Sequence, residues 1–296
     1  MQIPVTTSGR IYSFHTNMRP RLSVRRTRRV FFPAIAFQAV VLCGFGQEAA
    51  VLVNHGEPMR VAYTCPEEDL QWAGMACTDD DPCPIYLELS AVASAGPEIL
   101  VAGNLHGTSA TLNSILLQSG DAGATWKEAA ARIRGSALDQ VQLYDSQHRW
   151  AAGETQFPLP RDPFFLRTTD GGASWRHSTV GEDGSAGSIQ GFRFDSARHG
   201  EVIIDAGKAS EGGRYLSFES ETGGDSWTSR GTADRLPKLP LAPENPEWRI
   251  QPGKDGKSYR IEQQTGERGS PLASFLIEVA TCRVDPGPLK EPLEPK

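Results

Sequence analysis

The sequence predicts an all-β protein built from a repeated unit of four antiparallel strands, and three observations support this fold class. Glycine and proline, at 30 and 21 residues, make up about a sixth of the 296-residue chain, which suits short strands joined by many turns. An octapeptide pattern occurs three times, at a nearly constant interval. A second turn pattern, Asp-Ser between two alternating strands, runs in phase with it.

The octapeptide has the pattern S/T-x-D/T-x-G-x-S/T-W, and its third residue recurs after 49 and then 52 positions. A hydroxyl and a carboxylate two residues apart can both accept backbone N–H groups inside one tight turn. Glycine takes the positive-φ position, and tryptophan packs between neighbouring sheets. We therefore predict three structural turns built on Ser119, Asp121, Gly123, Trp126, Thr168, Asp170, Gly172, Trp175, Ser220, Thr222, Gly224 and Trp227. Thr222 replaces the aspartate, so the third turn is degenerate.

The second pattern, at Asp145-Ser146 and Asp195-Ser196, marks hairpins 50 residues apart. A unit then consists of a strand, an Asp-Ser turn, a strand, a variable loop, a strand, the octapeptide and a last strand. We predict units at about 84–135, 138–182, 187–232 and 246–285, the last of which lacks an octapeptide. Residues 51–83 are an N-terminal closing segment with one strand, and 286–296 form a disordered tail.

The octapeptide is similar to the Asp box, or bacterial neuraminidase repeat, of sialidases, sortilin-like receptors and photosystem II assembly and stability factors. The run Trp150-Ala-Ala-Gly-Glu154 leading to 165–175 most resembles the photosystem factors, and the likeness covers about half the chain. It implies a β-propeller, and the four predicted units would be its blades; a five-bladed ring, an incomplete ring and a β-sandwich are the alternatives. It also implies that the octapeptides face away from the binding surface.

The loops between second and third strands would then form a recognition surface. Its candidate binding residues are Asn104, His106, Glu154, Arg161, Asp162 and Asp205, with Arg132 and Arg134 between units. The alternative is that these are solvated loops with local salt bridges. We predict no catalytic residue, because the Arg-Ile-Pro motif of sialidases does not precede the first octapeptide. No cofactor or metal site is predicted either, since the cysteine spacing does not suit zinc.

The charge distribution points to export. Residues 1–46 hold seven arginines and no acidic residue, and an apolar stretch follows Arg29. This is typical of a secretory signal, either twin-arginine (Thr27 to Phe32) or Sec. The remainder has 23 basic against 36 acidic residues, which disfavours nucleic acid. We expect a periplasmic or extracellular protein with no stable membrane span after signal removal.

Four cysteines remain in the exported part, and an even number suggests two disulfides. Among the three possible pairings the sequence favours Cys77–Cys83 and Cys65–Cys282. We expect an exported, non-catalytic binding or assembly scaffold of the cell envelope with a protein partner. A sialidase-like carbohydrate-binding protein or glycoside hydrolase is the alternative, with a glycan as ligand.

Overall fold

A computed structural model describes residues 50–156, 158–208, 212–238, 248–265, 268–278 and 281–283. The predicted signal at 1–46 and the tail at 286–296 lie outside the described residues. The strands are β1 (Leu52–Val53), β2 (Met59–Val61), β3 (Cys83–Pro84), β4 (Tyr86–Ala95), β5 (Glu98–His106), β6 (Thr111–Ser119), β7 (Thr125–Glu128), β8 (Ser136–Leu143), β9 (Arg149–Thr155), β10 (Arg161–Thr168), β11 (Arg176–Thr179), β12 (Ser188–Phe194), β13 (Gly200–Asp205), β14 (Tyr215–Ser220), β15 (Thr228–Ala233), β16 (Trp248–Pro252), β17 (Ser258–Thr265), β18 (Arg268–Ile277) and β19 (Thr281–Cys282). One short helix, α1, spans Glu67–Trp72.

These strands form four main sheets, which confirms the all-β prediction and gives a propeller-like arrangement. The first sheet has the order β1-β7-β6-β5-β4, the second β11-β10-β9-β8, the third β12-β13-β14-β15 and the fourth β16-β17-β18-β2. A two-stranded ladder joins β19 to β3. The first sheet is five-stranded because the N-terminal strand β1 pairs with β7.

The first three sheets repeat one design, because their inner strands β4, β8 and β12 each carry a β-bulge at an equivalent position. The register shifts between Leu89 and Ala91, between Leu138 and Gln140, and between Ile189 and Gly191. A bulge bends a strand and re-aims side chains. Here the side chains beside the bulges join neighbouring sheets: Ser90 donates to the carbonyl of Leu138, and Gln140 Nε2 donates to that of Ile189 at 2.8 Å.

Three apolar cores lie between successive sheets, in the spatial order fourth, first, second, third. Period-2 alternation in the strands places apolar side chains on both faces of the first and second sheets. Between the second and third sheets, Trp150 stacks on Phe194 with ring centroids 3.9 Å apart, and Phe165 stacks on Trp227 at 5.0 Å. Ring contacts of this kind add to the stabilisation gained from burying the aromatic surface.

The three octapeptides form turns with the same hydrogen bonds. In the first turn, Ser119 Oγ accepts the N–H of Gly123 at 2.9 Å, and Asp121 accepts both the N–H and the hydroxyl of Thr125 at 2.8 and 2.6 Å. The second turn repeats this pattern on Thr168 and Asp170. The glycine at the fifth position of the pattern has φ between 88° and 90° in all three copies, in the region that favours glycine.

The third turn keeps the geometry with a neutral acceptor. Thr222 Oγ1 accepts the N–H of Ser226 at 2.9 Å, and the two hydroxyls lie 3.0 Å apart. In the charged turns, hydrogen bonds from Thr125 hold the pKa of Asp121 below its ordinary value, and those from Ser174 do the same for Asp170. The carboxylates therefore stabilise their turns more when they are ionised than when they are protonated.

The fourth sheet differs from the predicted fourth unit, because its strands run in the opposite direction. In the first sheet, β4 ends at the octapeptide side of the molecule. The start of β16 lies there too, since Trp248 Nε1 donates to Ser94 Oγ at 2.6 Å, and Leu272 of β18 packs on Gly123. The sheet is also completed by the N-terminal strand β2, which pairs with β18 in parallel.

The four sheets do not close into a ring over the part of the chain that the structure describes. Their outward faces at the two ends are polar: by strand alternation, Arg193 and Glu201 lie on the third sheet, and Arg249 and Arg260 on the fourth. The array is therefore open, and its terminal faces suit contact with water.

The protein has two disulfides, which confirms that the cysteines pair. They join Cys65 to Cys282 and Cys77 to Cys83, and Cys83 faces Cys282 across the β3–β19 ladder. The closing segment 51–83 contributes more than the one predicted strand, since it supplies β1, β2, β3 and α1.

Restoring the aspartate in the third turn should stabilise the protein. In Thr222→Asp the carboxylate would accept the N–H and hydroxyl of Ser226, as Asp170 does with Ser174, and charge-assisted bonds are stronger than neutral ones. We expect a higher midpoint of thermal unfolding at pH 7. A folded-state pKa below the unfolded one gives stability that is lost as pH falls, so the gain should shrink progressively below about pH 4.

The reciprocal change Asp170→Thr is the matched control and should lower the midpoint at pH 7. If the Thr222→Asp variant has the same midpoint of thermal unfolding at pH 7 as the native protein, or a lower one, the carboxylate does not stabilise this turn.

Candidate functional site

Three of the predicted binding residues occupy equivalent positions, at or near the ends of the second strands. Asn104, Glu154 and Asp205 lie on β5, β9 and β13. The structure brings the first two into one polar cluster, which we define by Glu88, Asn104, Asp139 and Glu154. The cluster lies beside the inner strands of the first and second sheets. Asp205 lies apart from it.

Asn104 joins the first sheet to the second. Its side chain is 5% exposed, and its Oδ1 accepts the N–H of Leu138 at 2.8 Å. Its Nδ2 lies 3.5 Å from Asp139 Oδ1. The bulge in β8 frees the Leu138 N–H from the ladder, so Asn104 satisfies a backbone donor that would otherwise be unpaired. The contact is structural.

Glu154 is a carboxyl group held inside the protein. It is 5% exposed, and Gln156 Nε2 donates to its Oε1 at 2.9 Å. Burial, followed by the nearby Asp139 carboxyl, raises the pKa of Glu154 to about 7, although hydrogen bonds from Ile189 and Ser188 oppose the shift. Because burial disfavours the charged form, part of the Glu154 population carries a proton at neutral pH.

Asp139 and Glu88 are the two members of the cluster that were not predicted from the sequence, and Asp139 is the more informative of them. It is the extra residue of the β8 bulge, and its side chain reaches solvent. The surrounding protein atoms raise the pKa of Asp139; the hydrogen bond from Asn104 lowers it, and Glu88 raises it further. The sequence does carry a sign of this bulge, because the alternation of apolar and polar residues along β8 breaks at Leu138-Asp139-Gln140. An accessible carboxyl with a raised pKa can donate or accept a proton.

A glycine precedes both Asn104 and Glu154, and in both places the neighbouring strand lies unusually close. A Cβ on Gly103 would lie 2.3 Å from the Glu88 carbonyl oxygen, and one on Gly153 would lie 1.8 Å from that of Ala137. Only glycine lets the second strands β5 and β9 approach the inner strands β4 and β8 so closely. The repeated Ala-Gly-Asn and Ala-Gly-Glu sequences therefore serve strand pairing first.

The other predicted residues are spread along the same end of the sheets. Asp205 accepts hydrogen bonds from Arg214 at 2.9 and 3.0 Å, and these lower the pKa of Asp205. The ring of His106 stacks on Tyr86, with centroids 5.5 Å apart. Arg161 Nε lies 3.6 Å from the carboxylate of Asp162. This pair is a local salt bridge in a solvated loop, as expected if these residues do not form a binding surface.

Arg132 and Arg134 hold the N-terminal segment. Arg132 donates to the carbonyl of Ala62 at 2.6 Å, and Arg134 Nε donates to the buried Asp69 carboxylate at 2.7 Å. Tyr63 and Asn113 also donate to Asp69. Arg134 therefore positions α1 against the first sheet, and Arg132 holds the segment that precedes α1.

A groove of about 460 Å³ lies between the variable loops of the second and third sheets. Its lining includes Leu159 and Pro160 on one side, Ser188 in the middle, and Lys208 and Arg214 on the other. Leu159 is 72% exposed, although it is a large apolar residue. The binding residues predicted from the sequence include Arg161, two positions further along the chain, but not Leu159.

One group of possible metal ligands occurs among the described residues: His199, Glu219 and Glu221. Both ring nitrogens of His199 already have partners, since Nδ1 lies 2.8 Å from Asp195 and Nε2 lies 2.9 Å from Glu219. Glu219 also pairs with Arg230. The group is a salt-bridge network on the polar outer face of the third sheet.

Comparison with known proteins does not assign the chain to a family. No model of a known protein family matches the chain, and no curated protein sequence matches it. Among solved structures, the chain is similar to a GH74 xyloglucanase from Xanthomonas campestris, with 17% sequence identity and a TM-score of 0.33. The match covers 65% of this chain and 30% of the xyloglucanase.

Within the described ranges, none of the helical structure is long and apolar enough to cross a membrane.

Replacing the buried carboxyl should remove a pH dependence of stability. The pKa of Glu154 is about 7 in the folded protein and 4.5 in the unfolded chain, so the unfolded state releases its proton first as pH rises. Native stability should therefore fall between about pH 5 and pH 7, by on the order of 3 kcal/mol. In Glu154→Gln this fall should disappear, as measured by urea unfolding with the disulfides intact.

The exposed Glu182 provides the control: Glu182→Gln should retain the fall. If Glu154→Gln and the native protein show the same difference between pH 5 and pH 8, Glu154 does not cause the dependence.

Proposed function

We propose that the chain is an exported, non-catalytic binding or assembly scaffold of the cell envelope, an incomplete propeller related to the Asp-box proteins. It binds a protein partner through the variable loops of the second and third sheets. The observation that carries this proposal is Leu159, which projects at 72% exposure from the rim of the groove beside those loops.

The loop that carries Leu159 is suited to act as an anchor. Pro158 and Pro160 flank it, and each proline fixes its own φ. A stiff loop loses little conformational entropy when it binds, so more of the contact energy remains as affinity. Interfaces usually combine an apolar anchor with a polar rim. Here the rim is Arg161, 48% exposed, with Lys208 and the Asp205–Arg214 pair.

Export is supported by the two disulfides, because disulfides persist in oxidising compartments. The basic and apolar segment at 1–46 fits a cleaved signal. We place the protein in the periplasm or outside the cell.

A second candidate is a carbohydrate-active protein, and one observation favours it. Asp139 reaches solvent, yet the surrounding protein atoms, and after them the carboxyl of Glu88, raise its pKa. An accessible carboxyl with a raised pKa is a candidate for proton transfer in catalysis. Hydrolysis of aryl glycosides that is lost in Asp139→Asn would support this candidate over the scaffold.

A photo-crosslinking amino acid at position 159 should capture a defined partner. We expect one reproducible adduct in the native envelope fraction, identified by mass spectrometry. The same amino acid at position 236 is the control, because Leu236 is also exposed, at 52%, but lies outside the groove. Arg161→Glu should lower the yield of the adduct at position 159.

Once the partner is known, Leu159→Asp should weaken its binding at least about tenfold, as expected for a central apolar anchor. Equal adducts at positions 159 and 236, or full affinity in Leu159→Asp, would refute this surface.

A further inference from the structure

A second groove, of about 470 Å³, lies beside α1 on the N-terminal segment, away from the variable loops. Its floor is apolar and contains Leu70, Met75 and Cys77. Its rim carries the carboxylates of Glu67, Asp79 and Asp80, together with Gln71 and Thr78. The size falls within the range of about 300–1,000 Å³ that is usual for ligand sites.

The groove is held in shape from both sides. On one side, the buried Asp69 carboxylate accepts hydrogen bonds from Tyr63, Asn113 and Arg134, which fixes α1. On the other, the Cys77–Cys83 disulfide closes the loop. Within that loop, Thr78 and Asp81 form a turn, with two hydrogen bonds of 3.0 Å.

Two glycines allow this segment to lie close to the first sheet. A Cβ on Gly135 would lie 2.2 Å from the ring of Trp72, and one on Gly107 would lie 2.7 Å from the end of Met75. Trp72 and Met75 therefore pack directly on the backbone of the sheet. The floor of the groove is preformed, so a ligand need not order it.

The charges on the rim are all negative. Among its nine lining residues the groove has no lysine, arginine or histidine. Asp79 and Asp80 are exposed, and within the described part of the chain neither side chain has a hydrogen bond or an ion pair. An apolar floor inside an unneutralised acidic rim attracts a ligand that has an apolar side chain and flanking positive charge.

We propose that this groove binds a cationic segment of a partner protein, in which basic residues flank an apolar side chain. The apolar side chain occupies the floor, and the basic residues pair with Asp79, Asp80 and Glu67. This site goes beyond the proposed function, because it uses a different surface from the loops around Leu159.

The probe for the test is a fluorescently labelled peptide, Lys-Lys-Leu-Phe-Lys-Lys, and binding to the folded, oxidised protein is followed by anisotropy. We expect saturable binding that Asp79→Asn/Asp80→Asn weakens at least about threefold, since two exposed ion pairs are removed. A peptide with Ala-Ala in place of Leu-Phe should bind more weakly, because it lacks the apolar side chains.

The acidity of the whole domain requires a matched control. Glu182 and Asp183 are an exposed acidic pair in another sheet connection, so Glu182→Gln/Asp183→Asn changes the net charge equally. We expect this variant to bind like the native protein. Equal weakening in the two double variants would reduce the effect to general attraction and overturn the site, as would full affinity for the Ala-Ala peptide. Neither result would depend on the adduct at position 159.

Discussion

The first and second sheets are apolar on both faces, and this constraint determines the rest of the structure. A sheet with two apolar faces needs a neighbour on each side. The first sheet packs on the second with one face and on the fourth with the other. The second sheet packs on the first and third. The third and fourth sheets need only one neighbour, because their outward faces carry charged side chains. They therefore end the array as capping units end a repeat protein.

This constraint explains why the C-terminal strands return to the first sheet. Without the fourth sheet, the face of the first sheet that contains Trp126 would be exposed to water. Phe275 of the fourth sheet covers this face, and its ring centroid lies 5.1 Å from that of Trp126. The N-terminal segment takes part in the same cover, since β2 completes the fourth sheet. The Cys65–Cys282 bond ties the two ends of the chain where they meet. Burial of one apolar face thus accounts for the fourth sheet, the closing segment and the long disulfide together.

Local signals in the sequence predicted local structure well. The octapeptides specify their own hydrogen bonds within eight residues, so Asp170 and Ser174 could be paired by reading the chain. The direction of the fourth sheet could not be read in this way. Alternation shows that a strand exists, but it does not give its direction, and residues 246–285 lack the octapeptide that marks one end of a unit. The docking of α1 was missed because it depends on Gly107 and Gly135, which are distant in sequence.

The candidate site shows the same division between local pattern and assembled structure. Asn104 and Glu154 were chosen as polar residues near strand ends, yet both are buried and hydrogen-bonded between sheets. A buried polar group must find partners, so its first role is to fix the register of its neighbours. Recognition then falls to side chains that the fold leaves exposed and held in place. Leu159 between its prolines, and the acidic rim beside α1, satisfy both conditions, and neither is needed to hold the sheets together.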